Sequence, residues 1–382
     1  MNLLNFKKSF LFFLLAIFVP FFLYYAAPAP AAAADEHLFK ICVNQKYGFI
    51  NIKGRVAVKP VFDSAEEFSE GIAVVTYGDK TGFIKTDGKP AFKHRFDAAR
   101  SFSEGLAAVR INGKWGYIDK NGETVIQPVY ETASNFSEGL AAVKKDGKYS
   151  FIDARGTAAG FEYEWVSGFK NGLARFKKDG KYGFINKKGE VVIKADFDSA
   201  DDFYAGYAIV MKNGRYGLID KNASFAAPPI YDYISRFKEG AAFFEEDKKY
   251  GFVGSDGKVL VRPQYDGVSV FSEGLALVKS GKYYKYIDKS GKTSLVPGFK
   301  FKDAAIFSEG LARVALDKKN IFIDKKGRTV IDFKDKSCFF ADFKNGLAAG
   351  YIQDKSVYIN KTGKIVWADT FKENKVEINK KK

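Results

Sequence analysis

Nine times along this chain of 382 residues a phenylalanine is followed three positions later by glycine, at Phe68, Phe102, Phe136, Phe169, Phe203, Phe237, Phe271, Phe307 and Phe343. Successive phenylalanines lie 34, 34, 33, 34, 34, 34, 36 and 36 residues apart, and the glycines from Gly71 to Gly346 keep the same step. A fixed period of this length marks a repeat array, in which one small unit is copied and stacked. It overrides the two or three independent domains that length alone suggests. With 46% apolar and 16% aromatic residues the chain can fill a packed core, which argues against a disordered tract.

One unit, Leu140 to Gly172, shows the local code. A β-prone run from Leu140 to Lys144 meets the tight turn Asp146-Gly147, and Tyr149 to Asp153 forms a second strand. Other units add a third strand, as in Thr124-Val125-Ile126 and Val191-Val192-Ile193. Each unit therefore reads as a three-stranded antiparallel meander. The middle strand carries an adjacent apolar pair ten times, from Phe49-Ile50 through Tyr117-Ile118 to Tyr358-Ile359. Adjacent strand residues face opposite sides, so such a pair means that both faces of each sheet are buried. Asp or Asn follows eight of the ten pairs, and Gly comes three residues later in nine of ten, with Ala223 the exception. This is turn chemistry. One carboxylate per turn falls far short of the oxygen cage that calcium takes.

A connector follows, as in Pro60-Val61-Phe62-Asp63 and Pro128-Val129-Tyr130-Glu131. Here proline is expected to stop the ladder, the aromatic to pack inward and the acid to cap a turn. The Phe-Ser-Glu-Gly frame then places Glu70, Glu104, Glu138, Glu273 and Glu309, with Glu239 in a variant. Six equivalent carboxylates point to a repeated turn or ion-pair role, since an active site is normally built once.

These residues resemble the WG-repeat family of bacterial proteins, whose units carry a Trp/Tyr-Gly-aromatic-Ile-Asp strand and a Phe-Ser-Glu-Gly-Leu-Ala turn and strand. The match is tightest at Trp115-Gly116-Tyr117-Ile118-Asp119 with Phe136-Ser137-Glu138-Gly139-Leu140-Ala141. Tyr47-Gly48, Tyr182-Gly183, Tyr216-Gly217 and Tyr250-Gly251 keep the frame, whereas Thr81-Gly82, Tyr149-Ser150, Tyr284-Lys285 and Ile321-Phe322 depart from it. The resemblance covers about residues 38 to 367. It implies a β-repeat scaffold and brings no catalytic residues.

The expected fold is all-β: tandem meanders of about 34 residues stacked as an open curved or superhelical array, with a closed propeller-like ring as the alternative. The open form is preferred for two reasons. Ten whole units leave no strand over to share a blade between the termini, and ten blades exceed the usual four to eight of propellers.

Residues 1–34 read as a signal peptide: Lys7 and Lys8, an uncharged run from Phe10 to Ala27, and Ala32-x-Ala34 before Asp35. An uncleaved membrane anchor is the alternative. Residues 35–367 then hold the ten repeats and 368–382 a basic tail. The chain is expected to be exported, whether secreted, periplasmic or on the cell surface. Net charge is +16, and +14 without Lys7 and Lys8. Such a charge favours anionic envelope material, while export removes nucleic acid as the usual partner. Solubility alone also explains it.

Cys42 and Cys338 are 296 residues apart and are expected as free thiols in an open array. His37 and His94 stand alone, and no nucleophile elbow, phosphate loop or Cys/His cluster occurs. No cofactor, metal or catalytic residue is therefore assigned, and the chain is expected not to be an enzyme. The candidate ligand surface is a cationic stripe at the first hairpin turns: Lys144, Lys145, Lys148, Lys177, Lys178, Lys181, Lys212, Arg215, Lys248, Lys249, Lys279 and Lys282. The expected function is an envelope binding or scaffold protein contacting protein or anionic glycan. A polysaccharide hydrolase using carboxylates and a purely structural surface protein are the alternatives.

Overall fold

The computed structural model describes residues 37–293, 301–316, 319–333 and 338–369. Residues 1–34, expected as a signal peptide, and residues 370–382 of the expected basic tail lie outside the described residues. Regular structure among the described residues is entirely β, in ten antiparallel sheets of three or four strands. Each sheet is one repeat, called here a blade. In blade 3 the strands run in sequence order across the sheet: Ala98–Ala99, Ala107–Ile111, Lys114–Ile118 and Thr124–Tyr130.

The last three strands are the meander expected from the sequence. The first is an addition, because the connector does not merely turn. Ala98 and Ala99 pair with Arg110 and Val109 of the second strand. Ser103 and Leu106 close the ladder across Glu104-Gly105, whose φ angles of 54° and 82° make a type I′ hairpin turn. The recurring Phe-x-x-Gly is therefore a hairpin turn inside the blade. The proline reading is also corrected. Pro60 and Pro128 lie within the seven-residue outer strands Val56–Phe62 and Thr124–Tyr130, at a bulge where the pairing register shifts.

Blades meet face to face through an aromatic seam. The turn phenylalanine packs on the third-strand aromatic of the preceding blade: Phe68 on Phe49 at 4.8 Å, Phe102 on Phe83 at 5.2 Å, Phe136 on Tyr117 at 4.9 Å and Phe203 on Phe184 at 4.8 Å. The pattern continues to Phe343 on Phe322 at 5.1 Å. At the outer edge, the turn glycine between third and outer strands sits on the preceding outer strand, as Gly156 does on Ile126.

The same contacts join blade 10 to blade 1. Phe39 meets Tyr358 at 5.8 Å, the Tyr358 hydroxyl donates to the Lys40 carbonyl at 2.7 Å, and Gly54 abuts Val366. Phe39, Ile41, Ile50 and Leu347 form one buried cluster. The array is thus in its ring form. The lack of a split blade does not keep it open, because the seam needs only a flat sheet face at each end.

Blade 1 shows how this is achieved. Its described residues form a three-stranded sheet without the short strand and its turn phenylalanine. At the start of the second strand the other nine blades carry a buried alanine facing the preceding blade: Ala73, Ala107, Ala141, Ala174, Ala208, Ala242, Ala276, Ala312 and Ala348. Blade 1 has Phe39 there, paired across to Ile50 as Ala107 is to Ile118. The larger ring fills the space that the turn phenylalanine fills elsewhere.

The short strands form the inner edge. Successive inner turns are tied directly, with Ser69, Ser103 and Ser137 hydroxyls donating to the carbonyls of Phe102, Phe136 and Phe169 at 2.8, 2.8 and 2.7 Å. Burial raises the Asp342 carboxyl, and Arg313 and then Lys238, three blades away, partly offset this. One ring face carries the Phe-x-x-Gly turns and the other carries the hairpins between second and third strands. Phe39→Ala is expected to cost about 3 kcal/mol, as for a buried aromatic emptied into a cavity. Amide exchange should accelerate in blades 1 and 10 while blades 4 to 6 stay protected; uniform acceleration would contradict a local closing seam.

Candidate functional site

The chemistry-bearing groups fall into three rings of equivalent positions and one exception. The first ring is the turn glutamates. Glu104 accepts from the backbone N–H groups of Glu138 and Gly139 in the next turn at 2.6 and 2.9 Å, and Glu239 from Glu273 and Gly274 at 2.6 and 2.9 Å. Glu70, Glu138, Glu273 and Glu309 clasp Gly105, Gly172, Gly310 and Gly346 in the same way. Lysines from the next blade complete four clasps: Lys120–Glu70 at 3.0 Å, Lys187–Glu138 at 3.3 Å, Lys325–Glu273 at 3.0 Å and Lys361–Glu309 at 3.1 Å. Partial burial raises the Glu70, Glu138 and Glu273 carboxyls, but the lysine and the backbone donors together outweigh it and hold them below the ordinary range.

The second ring is the connector acids on the opposite face, which cap turns as expected. Asp63 accepts from Gly78 N–H at 2.8 Å and Asp266 from Gly281 N–H at 2.6 Å, each in the hairpin of the next blade. Asp63, Asp198 and Asp266 are held low first by the lysine each one binds, Lys46, Lys181 and Lys249, and then by these N–H groups. The third ring is the turn Asp or Asn. Asp119 accepts from Asn121 and Glu123 N–H at 2.9 Å each, which closes the turn that Gly122 completes at φ 86°.

The cationic stripe lies on the hairpin face, since its members flank the turns between second and third strands. Five members are ion-paired: Lys144 to Glu131 at 3.6 Å, Lys212 to Asp196 at 2.5 Å, Lys249 to Asp266 at 2.6 Å, and Lys181 and Arg215 to Asp198 and Asp232. Lys177 and Lys279 lie over Tyr182 and Tyr284 at 5.4 and 5.5 Å. Lys145, Lys148, Lys178, Lys248 and Lys282 are exposed and make no ion pair among the described residues. Cys42 is exposed and Cys338 buried. Among the described residues no group of three or more His, Cys, Asp or Glu is placed to hold a metal ion.

The exception is a cleft of about 530 Å³ at the inner edges of blades 6 to 8, lined by Asp201, Met211, Tyr216, Tyr233, Arg236 and Phe243 among others. Asp201, Tyr233 and Phe243 lie outside the repeating motifs read from the sequence. The available signal was Met211, in a register position held by Lys144, Lys177 and Lys279 in other blades.

The profile of the WG containing repeat matches at residues 47–80, 82–115, 115–149, 159–182, 182–216, 216–250, 250–284 and 286–319, more than half of the chain. The chain belongs to the WG-repeat family. No curated protein is significantly similar in sequence. Among solved structures, a crystal structure of the eukaryotic initiation factor aligns over 88% of this chain and 96% of its own, at 10% identity and a TM-score of 0.52. BamB from Moraxella catarrhalis aligns over 86% and 95%, at 12% identity and a TM-score of 0.36. The first is a likeness of fold.

The ring explains the signature glycine of the WG repeat. In blades 1, 3, 5, 6 and 7 the bulge of the seven-residue outer strand folds over it, so an added Cβ at Gly48 would meet Pro60 N at 2.6 Å and one at Gly116 would meet Pro128 N at 2.7 Å. Blades 4, 8, 9 and 10 carry Ser150, Lys285, Ile321 and Val357 instead, and among the described residues they show no seven-residue outer strand. Blade 2 keeps Gly82 but has no bulge over it, and nothing lies within 4 Å of a Cβ there.

Gly116→Ala should therefore destabilise the ring by about 2 kcal/mol through overpacking, whereas Gly82→Ala should stay within about 0.5 kcal/mol of the parent. Equal effects in denaturant melts would contradict the bulge account. The turn glutamates also set an acid limit. The folded pKa values of Glu70, Glu138 and Glu273 are depressed, so their stabilisation is complete above the ordinary glutamate range of about 4.3 and is lost as pH falls through the folded values. Melting temperature should be level from pH 7 to about pH 5 and drop below about pH 4, less steeply in Glu138→Gln. An unchanged melting temperature at about pH 3 would remove the clasps from the stability account.

Proposed function

We propose that the chain is an exported, non-enzymatic binding and scaffold ring of the bacterial cell envelope that contacts protein or anionic glycan partners. The observation that carries this reading is the division of labour among its charges. The turn glutamates and connector acids are engaged in holding one blade to the next and the turn aspartates in closing turns within a blade, and the same bonds recur around the ring. Lys145, Lys148, Lys178, Lys248 and Lys282 remain exposed on the hairpin face of a chain whose net charge is +14 once residues 1–34 are removed. Five weak charge contacts on one rigid face act together on an extended anionic polymer, and salt screens them together.

Purified residues 35–382, which hold all ten blades, should be retained by envelope fractions at low ionic strength and released as salt rises toward about 1 M, where screening reaches about 3 Å. Replacing the five lysines by glutamate should abolish retention. Failure to retain anything at any salt concentration would overturn the reading.

A further inference from the structure

In five blades the Trp or Tyr that opens the third strand lies under a cation: Lys40 over Tyr47, Arg100 over Trp115, Lys144 over Tyr149, Lys177 over Tyr182 and Lys279 over Tyr284, all within 5.9 Å. Blades 6 and 7 break this rule, blade 7 with Glu245 across from Tyr250. In blade 6 Met211 stands across from Tyr216, and among the described residues no cation lies over that ring. Tyr216 instead borders the 530 Å³ cleft, and meets Tyr233 of blade 7 at 5.8 Å. Tyr233 in turn meets Phe243 at 5.8 Å and is 42% exposed. No hydrogen bond to the Tyr216 or Tyr233 hydroxyl occurs among the described residues. At the rim, Arg236 reaches Asp201 through Nε alone at 3.2 Å, leaving most of its fork and one Asp201 oxygen open.

The cleft therefore combines uncovered aromatic faces with a half-used carboxylate–guanidinium pair, in a volume within the ordinary range for small-molecule sites. An apolar peptide anchor would bury that pair without matching it, at a desolvation cost. A pyranose matches both halves: its C–H face lies on an aromatic ring, and its hydroxyl edge both donates to carboxylate and accepts from guanidinium. We propose that this cleft binds a pyranose glycan, with Tyr216 and Tyr233 as the stacking faces and Asp201 and Arg236 taking the hydroxyl edge. The inference rests on the binding-protein reading and names a ligand class for it. A uronic-acid residue would add a carboxylate for Arg236.

Calorimetric titration of residues 35–382 with cellohexaose, maltohexaose, chitohexaose and hexagalacturonate tests it. At least one should bind, and Tyr233→Ala should weaken binding about ten-fold while Tyr233→Phe retains it. Arg236→Ala should weaken hexagalacturonate more than the neutral hexasaccharides. Tyr233 is exposed enough for the variants to fold, which their melting temperatures verify. Absence of binding by all four sugars at millimolar concentration, or unchanged affinity in Tyr233→Ala, overturns the inference. Salt-dependent retention on envelope fractions in the same samples would show that the hairpin-face reading survives that failure.

Discussion

Every blade is positioned by a phenylalanine pressed against the third strand of the blade before it, on an aromatic ring except where Phe237 meets Leu218. The type I′ turn after that phenylalanine delivers the rest of the interface. Its serine reaches the next phenylalanine's carbonyl, and its glutamate reaches the next turn's N–H groups. The residue at the first turn position adopts positive φ without being glycine, as Glu104 does at 54° and Glu138 at 55°. That modest strain is repaid by the clasp the same side chain makes. Burying one aromatic contributes about 2–3 kcal/mol, so the seams supply the bulk of the cohesion and the polar contacts set register between blades.

Closure follows from the same contact rather than from a separate device. In an open stack the outer faces of the first and last sheets would leave Phe39, Ile50 and Leu347 in water. Closure buries them to 6%, 0% and 2% exposure. The end sheets meet as any other neighbours do. Phe39 corrects for the one contact the first blade lacks.

What was legible in the sequence was whatever recurs and acts locally. The 34-residue beat, the double-faced third strand and the Asp-to-Gly turns each leave a mark within a few residues, and all are present in the structure. The short inner strand was not legible, because two residues such as Ala98–Ala99 carry no periodicity to read. Phe39 broke a column of alanines, yet that break means nothing until those alanines are known to face the preceding blade. The cationic stripe was legible as position but not as charge available to a ligand. Its partners Asp198, Asp232 and Asp266 lie 17 residues beyond Lys181, Arg215 and Lys249, in the connector that leads to the next blade.

A ring of equivalent units offers a ligand the same chemistry at many places, which suits a polymer and gives little discrimination. Discrimination has to come from positions where the repeat is broken. Two breaks leave open space. In blade 2 the missing bulge leaves a recess of about 50 Å³ beside Gly82, with Lys93 and His94 on its wall. In blade 6, Met211 replaces a lysine, and the aromatic that would otherwise serve as a platform for that cation is left to line the cleft. A cation folded on an aromatic ring is satisfied within the protein, whereas a bare ring beside a half-used ion pair is satisfied only by something added. The second break therefore has the stronger claim to recognition, since it removes a partner from a side chain whose position every other contact in the blade preserves.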